Sequence, residues 1–406
     1  MAAMIRFIAA ALSLLLIAAC SHVRETEASP PLILVSIDGF RADYLDRGVT
    51  PTLSRLAAEG ARASMRPSFP SKTFPNHYTI VTGLRPDRHG IINNTMEDPE
   101  RPGVTFTLSN REVTSDPIWW RGGVPIWVTA ERQGVRTATM FWPGSDFELH
   151  GGRPSEWRAF DMAVPSETRV DTLLSWFDSD REHPRFATLY FDIVDTAGHT
   201  YGPHAPETNA AVAQADAAIA RLVDGLAARG VRANLIILAD HGMAEVSDDR
   251  IIDLDALAPP TIAYVVWDGP FAGVRALPGH EAALDAALVG RREHDECWRR
   301  GELPARLRYG THKRTPSVIC LADTGWRYRS ARFQHWPGRG DHGFDNEAPD
   351  MAALFLANGP AFRSGVTLAP FDNVSVYPLM TRLIGVKPRR NDGNVADFAA
   401  ALRDPP

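Results

Sequence analysis

Apolar runs of strand length, each followed by acidic or glycine residues, recur along this chain. Four of them cover residues 32–37, 188–194, 234–239 and 351–356. Nearly continuous apolar runs of this length are typical of strands that are buried on both faces of a parallel sheet. The pattern therefore predicts a buried sheet that contains at least these four strands.

The segments between these runs have helical spacing. An alanine-rich stretch over 205–230 places apolar side chains at helical intervals and leads directly into the third strand. Shorter helices are predicted over 51–60, 77–82 and 372–384, the first of them bounded by a proline and a glycine. The alternation predicts an α/β fold: a doubly wound, mostly parallel sheet with helices on both faces.

Two long regions interrupt the alternation. Residues near 96–185 are rich in Trp, Gly, Pro and Arg, and residues near 246–335 are similarly irregular. Both regions lie between segments that carry candidate chemistry rather than at a chain end. We interpret them as cap-like insertions in a single catalytic domain that spans 31–402.

The N-terminal residues have the pattern of an export signal. Arg6 precedes an apolar stretch over 7–19 that is too short to span a bilayer comfortably. Small residues then precede Cys20, as in a bacterial lipobox, and Ser21 follows instead of the aspartate associated with inner-membrane retention. We expect a lipoprotein signal peptide over 1–19, a tether over 20–30, and a periplasmic chain anchored in the outer membrane by acylated Cys20. A plain secretory signal is the alternative.

Charge and cysteine content restrict the partners. The 406 residues are 44% hydrophobic and 23% charged, as in a globular enzyme, with a net charge of -6. No long basic run is present, which argues against binding to a nucleic acid polymer but allows a small anionic substrate. Beyond Cys20, only Cys297 and Cys320 remain. In an exported protein this pair favours a disulfide over two buried thiols.

Acidic and histidine residues follow the apolar runs in four segments. Carboxylates mixed with imidazoles suit zinc, and three such groups per ion leave a position open for a substrate. Because strand ends meet at one sheet edge, the segments predict a two-metal hydrolytic site. The segments contain Asp38, then Asp195 with His199, then Asp240 with His241, and finally Asp341 with His342.

The candidate nucleophile is Thr73, which stands between Pro70 and Pro75. A threonine hydroxyl is mostly protonated at neutral pH, and coordination to a metal ion would lower its pKa and orient it for attack. The alternative role is an N-cap for the helix predicted over 77–82. Both roles are compatible.

With these residues, the chain resembles bacterial members of the nucleotide pyrophosphatase/phosphodiesterase family of the alkaline phosphatase superfamily. The similarity covers nearly the whole mature chain and continues through Asn-Asp-Gly at 391–393. The matching motifs are Ser-Ile-Asp-Gly-Phe-Arg at 36–41, Thr-Phe-Pro-Asn-His at 73–77, Thr-Gly-Leu-Arg-Pro-Asp-Arg-His-Gly at 82–90, Asp-Thr-Ala-Gly-His at 195–199, Asp-His-Gly-Met at 240–243 and Asp-His-Gly at 341–343.

The resemblance implies an alkaline phosphatase-like fold and two Zn²⁺ ions per chain. One ion would be held by Asp195, His199 and His342. The other would be held by Asp38, Asp240, His241 and the hydroxyl of Thr73.

The resemblance also implies substrate contacts. Asn94 matches an asparagine that binds a phosphoryl oxygen, and the backbone N–H of Phe74 is expected to be a second donor. Phe74 and Tyr190 match aromatic positions that flank a nucleobase, although Tyr190, inside a strand, fits core packing as well. Attack by Thr73 would form a covalent threonine–nucleotide intermediate, with configuration at phosphorus retained overall.

We therefore expect a monomeric enzyme that hydrolyses nucleotide-like phosphodiesters to nucleoside monophosphates. Phe74 follows the nucleophile where a monoesterase would place a cation, and Lys72 is expected to point away from the site. The sulfatase signature is absent. The alternatives are a phospholipase C-like or glycerophosphodiester hydrolase on the same metals, and a lipoprotein that binds metal or phosphate without catalysis.

Overall fold

Within the part of the chain that the structure describes, residues 29–335 and 337–404, a nine-stranded sheet forms the centre of this computed structural model. Three central strands, β1 (Leu32–Ile37), β7 (Phe186–Phe191) and β8 (Asn234–Leu238), are buried at every position. β1 lies between β7 and β8 and pairs with both in parallel. The buried, mostly parallel sheet predicted from the apolar runs is confirmed.

The remaining strands either complete this sheet or form four smaller sheets within the described residues. In chain order the remaining strands are β2 (Ala61–Arg66), β3 (Thr95–Glu97), β4 (Thr105–Thr107), β5 (Thr137–Met140), β6 (Glu156–Trp157), β9 (Ala244–Glu245), β10 (Ile251–Asp253), β11 (Ala263–Trp267), β12 (Phe271–Ala276), β13 (Gly290–Arg291), β14 (Asp295–Arg299), β15 (Val318–Ala322), β16 (Arg327–Arg329), β17 (Gly340–Asp341), β18 (Ala353–Asn358), β19 (Val366–Thr367) and β20 (Phe371–Asp372).

The α-helices are α1 (Pro51–Ala58), α2 (Thr73–Thr82), α3 (Pro86–His89), α4 (Arg111–Thr114), α5 (Ile126–Glu131), α6 (Ser166–Ser175), α7 (Ile193–Tyr201), α8 (Pro206–Ala228), α9 (Leu254–Leu257), α10 (Glu281–Leu288) and α11 (Val376–Leu383). Two groups of these helices pack within themselves, α1 with α6, α7 and α8, and α2 with α3 and α11, which accords with helices on both faces of the sheet. Short 3₁₀ helices cover Ala42–Arg47, Pro117–Trp119, Ala305–Leu307, Pro349–Met351, Asn373–Ser375 and Val395–Phe398.

Two strand boundaries differ from the sequence prediction. β7 ends at Phe191 rather than at 194, because α7 begins at Ile193. β18 begins at Ala353 rather than at 351, because the preceding residues form a 3₁₀ turn. β18 also runs antiparallel to both of its neighbours, β8 and β2. An apolar run carries no information about strand direction, so this exception is invisible in the sequence.

The two interrupting regions differ in structure. The region near 96–185 adds β5 and β6 to the central sheet, in parallel beyond β7, and so is only partly a cap. The region near 246–335 forms a separate antiparallel sheet in the order β11-β12-β15-β14-β13, with its own apolar cluster. Cys297 on β14 lies opposite Cys320 on β15, and the two form a disulfide as predicted.

The predicted signal peptide, Cys20 and most of the predicted tether lie outside the described residues. The described residues from Pro31 to Asp404 form a single compact unit. Over the described ranges, we find no helix that combines the length and the apolar character needed to cross a membrane.

A buried histidine makes the fold sensitive to acid. Burial, together with His312 and Arg314 nearby, lowers the pKa of His89 to about 3. Its Nδ1 accepts a hydrogen bond from the N–H of Ile91, and its Nε2 lies 3.0 Å from Thr79 Oγ1, so the ring is held in its neutral form. Since the unfolded chain binds this proton near pH 6.5, the stability is present above that pH and is lost as the pH falls towards 3.

We therefore expect the wild type to lose about 2 kcal/mol more of its free energy of unfolding between pH 7 and pH 5 than a His89→Gln variant does. Denaturant unfolding of both proteins at the two pH values measures this difference. Equal losses in the two proteins would contradict the assignment.

Candidate metal centre and nucleophile

The ends of the central strands bring three ligand candidates together. Asp38 directly follows β1, and Asp240 and His241 follow β8, its parallel neighbour. Their ligand atoms lie within 4.8 Å of one another, and all three side chains are buried. Gly39 permits this approach, because it has φ +68° and a Cβ there would lie 2.9 Å from Asp195 Cα.

A second group lies beside the first. α7 places Asp195 and His199 one helical turn apart, with His199 Nε2 3.5 Å from Asp195 Oδ2. His342, which follows β17, places its Nε2 3.6 Å from Asp195 Oδ1. The ligand atoms of Asp195, His241 and His342 lie within 4.8 Å of one another, and so do those of His199, Asp341 and His342. The two groups are therefore continuous. The predicted ligands thus converge, and Asp341 joins them as an additional candidate.

The electrostatics of these residues fit divalent cations. Asp38 Oδ1, Asp195 Oδ1 and Asp240 Oδ2 are buried and have no hydrogen-bond partner. Burial, then Asp240 and Asp195, raises the pKa of Asp38 well above its usual range. Burial also raises the pKa of Asp240, but His241 and His77 outweigh it and the pKa lies below its usual range. Buried carboxylates without compensating charge are costly, so this donor set fits two bound cations.

Thr73 lies at the edge of this cluster, as the first residue of α2, with Oγ1 3.3 Å from His241 Nε2. The helix begins here and not at 77, and Lys72 occupies the N-cap position without a side-chain cap. The alternative N-cap role for Thr73 is therefore wrong. The helix N-terminus carries partial positive charge, which favours an anionic oxygen at this position.

His77 is a neighbour of the site to which the sequence analysis gave no role. It is fully buried one turn after Thr73, and its Nδ1 lies 2.8 Å from the carbonyl oxygen of Thr73. The same nitrogen lies 3.3 Å from Asp240 Oδ2, and Nε2 is 2.8 Å from Ser36 Oγ. His77 therefore ties the start of α2 to a candidate ligand. The i, i+4 spacing from Thr73 is the signal that could have identified it.

Asn94 contacts the start of α2 from the side. The backbone N–H of Phe74 donates to Asn94 Oδ1 at 2.9 Å. Without a substrate this N–H is therefore paired with Asn94, and its role as a second donor to a phosphoryl oxygen stays a prediction. With Oδ1 held in this way, the amide NH₂ of Asn94 is the group oriented to donate to a ligand.

The two predicted aromatic residues differ in their surroundings. Phe74 is half-buried, and its ring packs against Phe106 and Trp120. Tyr190 is 8% exposed, and its hydroxyl donates to Asp38 Oδ2 at 2.7 Å. Burial, then Asp38, raises the pKa of Tyr190 well above its usual range, so the phenol stays protonated. Tyr190 thus packs in the core and orients a candidate metal ligand.

An exposed aromatic side chain covers Tyr190. Phe160 is 43% exposed, and its ring meets that of Tyr190 edge to face at 5.8 Å. It lies in the irregular region near 96–185, where nothing in the sequence pattern marked it. An exposed phenylalanine beside a polar cluster is the observation that identifies it.

Lys72 also differs from expectation. Its Nζ lies 3.3 Å from Asp341 Oδ1, and its side chain lines a cavity together with His199. It therefore points towards the second ligand group and not away from the site. The ion pair depends on Asp341, which is 269 residues away in the chain, and local sequence carries no such signal.

The sequence matches the family described as Type I phosphodiesterase / nucleotide pyrophosphatase over residues 32–345. A venom phosphodiesterase of Crotalus durissus collilineatus is 38% identical over 92% of this chain and 47% of its own length. Ectonucleotide pyrophosphatase/phosphodiesterase family member 3 of Rattus norvegicus is 37% identical over 95% of this chain and 46% of its own length. An uncharacterized pyrophosphatase/phosphodiesterase of Schizosaccharomyces pombe is 37% identical over 89% of this chain and 78% of its own length.

Solved structures agree with the sequence matches. Human ectonucleotide pyrophosphatase/phosphodiesterase 5 superposes with a TM-score of 0.88 at 30% identity, over 92% of this chain and all of that chain. An inactive threonine-to-alanine variant of the murine protein, in complex with AMP, has a TM-score of 0.88 at 29% identity, over the same shares. This chain spans about half the length of its snake and mammalian relatives. It belongs to the Type I phosphodiesterase / nucleotide pyrophosphatase family.

Proposed function

We propose that this protein is a two-zinc phosphodiesterase that hydrolyses nucleotide-like phosphodiesters and releases nucleoside monophosphates. The observation that carries the proposal is the position of Thr73 Oγ1, at a helix N-terminus and 3.3 Å from a buried carboxylate–imidazole cluster. The relatives named for phosphodiesterase and pyrophosphatase activity, and the AMP complex of a murine relative, support the substrate class.

Two groups of residues would hold the metal ions. When bound, two divalent cations would supply Lewis acidity that lowers the pKa of the attacking hydroxyl and neutralises charge on the phosphoryl group. Carboxylate and imidazole donors in sets of three suit zinc and leave a position open for substrate. The first set is Asp195, His199 and His342, and the second is Asp38, Asp240 and His241 with the Thr73 hydroxyl.

The chain's own groups divide the reaction into two displacements. Thr73 Oγ1 releases its proton to solvent and bonds to phosphorus as the bond from phosphorus to the leaving oxygen breaks. The electron pair of the broken bond departs on that oxygen. The Asn94 amide donates to a non-bridging oxygen and so fixes the phosphoryl group for in-line attack. A water molecule then attacks the phosphorus as the bond from phosphorus to Thr73 Oγ1 breaks. A proton from that water restores the Thr73 hydroxyl, and the nucleoside monophosphate is released.

Two aromatic side chains near the candidate site are available to contact an organic substituent. Phe74 directly follows the nucleophile in the chain. The exposed ring of Phe160 packs against Tyr190 on β7, the strand that pairs with β1. Base–aromatic stacking contributes about 1–3 kcal/mol and tolerates any base, so these rings favour a nucleoside without selecting one. We propose that Phe74 and Phe160 contact the base, with Tyr190 supporting Phe160 from below.

Replacing either ring tests this assignment. We expect Phe74→Ala and Phe160→Ala each to lower kcat/KM for the nitrophenyl ester of thymidine monophosphate by about fivefold to fiftyfold, because stacking is lost. Hydrolysis of bis(nitrophenyl) phosphate, which has no base, serves as the comparison substrate. Leu108→Ala, at an exposed apolar residue with no assigned role, serves as the control variant. Equal losses on both substrates would contradict base contact.

A second substrate comparison separates the nucleotide proposal from its alternative. A phospholipase C-like or glycerophosphodiester hydrolase would prefer nitrophenyl phosphorylcholine to the nitrophenyl nucleotide. We propose the nucleotide reaction because the named relatives are nucleotide pyrophosphatases and a murine relative binds AMP. We further propose that the protein is an exported bacterial lipoprotein, monomeric and anchored in the outer membrane through Cys20.

A further inference from the structure

The segment that carries Asn94 is held at both ends by one buried side chain. Arg314 lies between β14 and β15 of the separate antiparallel sheet and is 5% exposed. Its Nη1 donates to the carbonyl oxygen of Gly90 at 2.6 Å, and its Nε donates to Asp98 Oδ2 at 2.7 Å. Asn94 is midway between these two residues in the chain. One rigid guanidinium group therefore fixes both ends of the segment 90–98.

Arg314 also binds the other interrupting region. Its Nη1 donates to the carbonyl oxygen of Trp119 at 2.8 Å, and its Nη2 donates to that of Ile118 at 3.0 Å. The Asp98 carboxylate is fully buried, and its second oxygen lies 3.3 Å from Lys313 Nζ. Because a buried ion pair adds little net stability, the geometry that it fixes is its main consequence.

Two tyrosines from the region of the antiparallel sheet contact the same segment. The hydroxyl of Tyr309, a residue 4% exposed, donates to the carbonyl oxygen of Ile92 at 3.1 Å. The hydroxyl of Tyr264, on β11, donates to Glu97 Oε1 at 2.8 Å. The region of the antiparallel sheet therefore holds the chain both before and after Asn94.

The contact with Arg314 gives a role to the glycine that ends the 82–90 motif. Gly90 has φ +85°, and a Cβ there would lie 3.1 Å from Arg314 Nη1 and 3.2 Å from His312 Nε2. Any other residue would be strained by this backbone conformation and would press on the guanidinium group. The glycine thus permits the close approach of Arg314.

The position of Asn94 matters because of the group that it orients. Its Oδ1 accepts from the backbone N–H of Phe74, beside the nucleophile, which leaves the amide NH₂ to donate to a phosphoryl oxygen. A displacement of about 1 Å in such a group can cost a hundredfold in rate. Resting on the proposed phosphodiesterase reaction, we infer that Arg314 is a positioning residue for Asn94. It fixes both ends of the segment, so that the amide stays in place for a non-bridging oxygen.

A double-mutant cycle distinguishes positioning from a general structural role. We expect Arg314→Gln to lower kcat for the nitrophenyl ester of thymidine monophosphate about tenfold with KM within about twofold, because the amide contact is strongest in the transition state. In an Asn94→Ala background the same change should lower kcat less than about twofold, because the positioned group is already gone. Arg314→Lys, which keeps the charge, should recover part of the loss. Arg299→Gln, at an exposed arginine on β14 that pairs with Asp285, should leave kcat and KM unchanged.

Amide hydrogen exchange gives a readout that does not depend on turnover. In Arg314→Gln, exchange over residues 91–97 should become about tenfold faster or more, because both ends of the segment are released. Exchange in the central strands β1, β7 and β8 should stay as in the wild type. Unchanged exchange over 91–97 would overturn the inference.

A gentler variant decides the matter if Arg314→Gln does not fold. Tyr309→Phe keeps the buried ring and removes only the hydroxyl that binds Ile92, so it should lower kcat about threefold, and only where Asn94 is present. Equal losses of kcat with and without Asn94, for either variant, would overturn the inference while the phosphodiesterase function stands. A wild type that hydrolyses no phosphodiester would instead refute the proposed function itself.

Discussion

Replacing Thr73 with alanine is expected to lower turnover of a nitrophenyl nucleotide ester by about a thousandfold or more, while the metal content stays near that of the wild type. Removal of a nucleophile that forms a covalent intermediate costs several orders of magnitude in comparable enzymes. The metal ions should stay because six carboxylate and imidazole groups besides the hydroxyl converge on the site. Initial rates together with metal analysis of the purified variant measure both quantities.

Two further variants make this result specific. Thr82→Ala removes another buried hydroxyl from the same helix, one that donates to the Tyr78 carbonyl, and should leave turnover within about threefold. Thr73→Ser keeps a hydroxyl and should keep measurable turnover. Rates for Thr73→Ala equal to those of the wild type would refute the nucleophile assignment.

Removing the metal ions is expected to abolish activity and to lower the melting temperature by about 5–10 °C, with both restored by added zinc. Three carboxylate oxygens, on Asp38, Asp195 and Asp240, are buried without a hydrogen-bond partner. Without cations these groups stay desolvated close to one another, which costs several kcal/mol, and a bound ion also stabilises the folded state by mass action.

Thermal melts before and after chelation test this expectation. Asp240→Asn should bind less metal and show a smaller shift on chelation, because one ligand charge is gone. Asp171→Asn, at an exposed carboxylate that pairs with Arg221, should behave as the wild type does. Full activity after exhaustive chelation would contradict the metal-dependent account.

The buried sheet and the candidate metal ligands at its edge could be predicted from the sequence, because both produce local sequence patterns. A buried strand has a continuous apolar run in the sequence, and the first residues after it lie at the edge of the sheet. Asp38 after β1 and Asp240 after β8 follow this rule, and the pairing of these strands brings the two carboxylates together. The Asp195–His199 spacing is likewise local, since one helical turn fixes it.

The remaining features depend on contacts between distant parts of the chain. Lys72 turns towards the site because of Asp341, and the antiparallel direction of β18 follows from its approach to β2 and β8. The exposure of Phe160 depends on how an irregular region folds over Tyr190. None of these has a periodicity or spacing that the sequence alone could reveal.

The central claim is that Thr73 forms a covalent bond to phosphorus during turnover, and the stereochemical course at phosphorus tests it most directly. A nucleotide phosphorothioate ester of known configuration would be hydrolysed in isotopically labelled water, and the configuration of the product determined. Two in-line displacements, first by Thr73 Oγ1 and then by water, invert the phosphorus twice, so the account predicts overall retention. Overall inversion would mean a single direct attack by water and would contradict it.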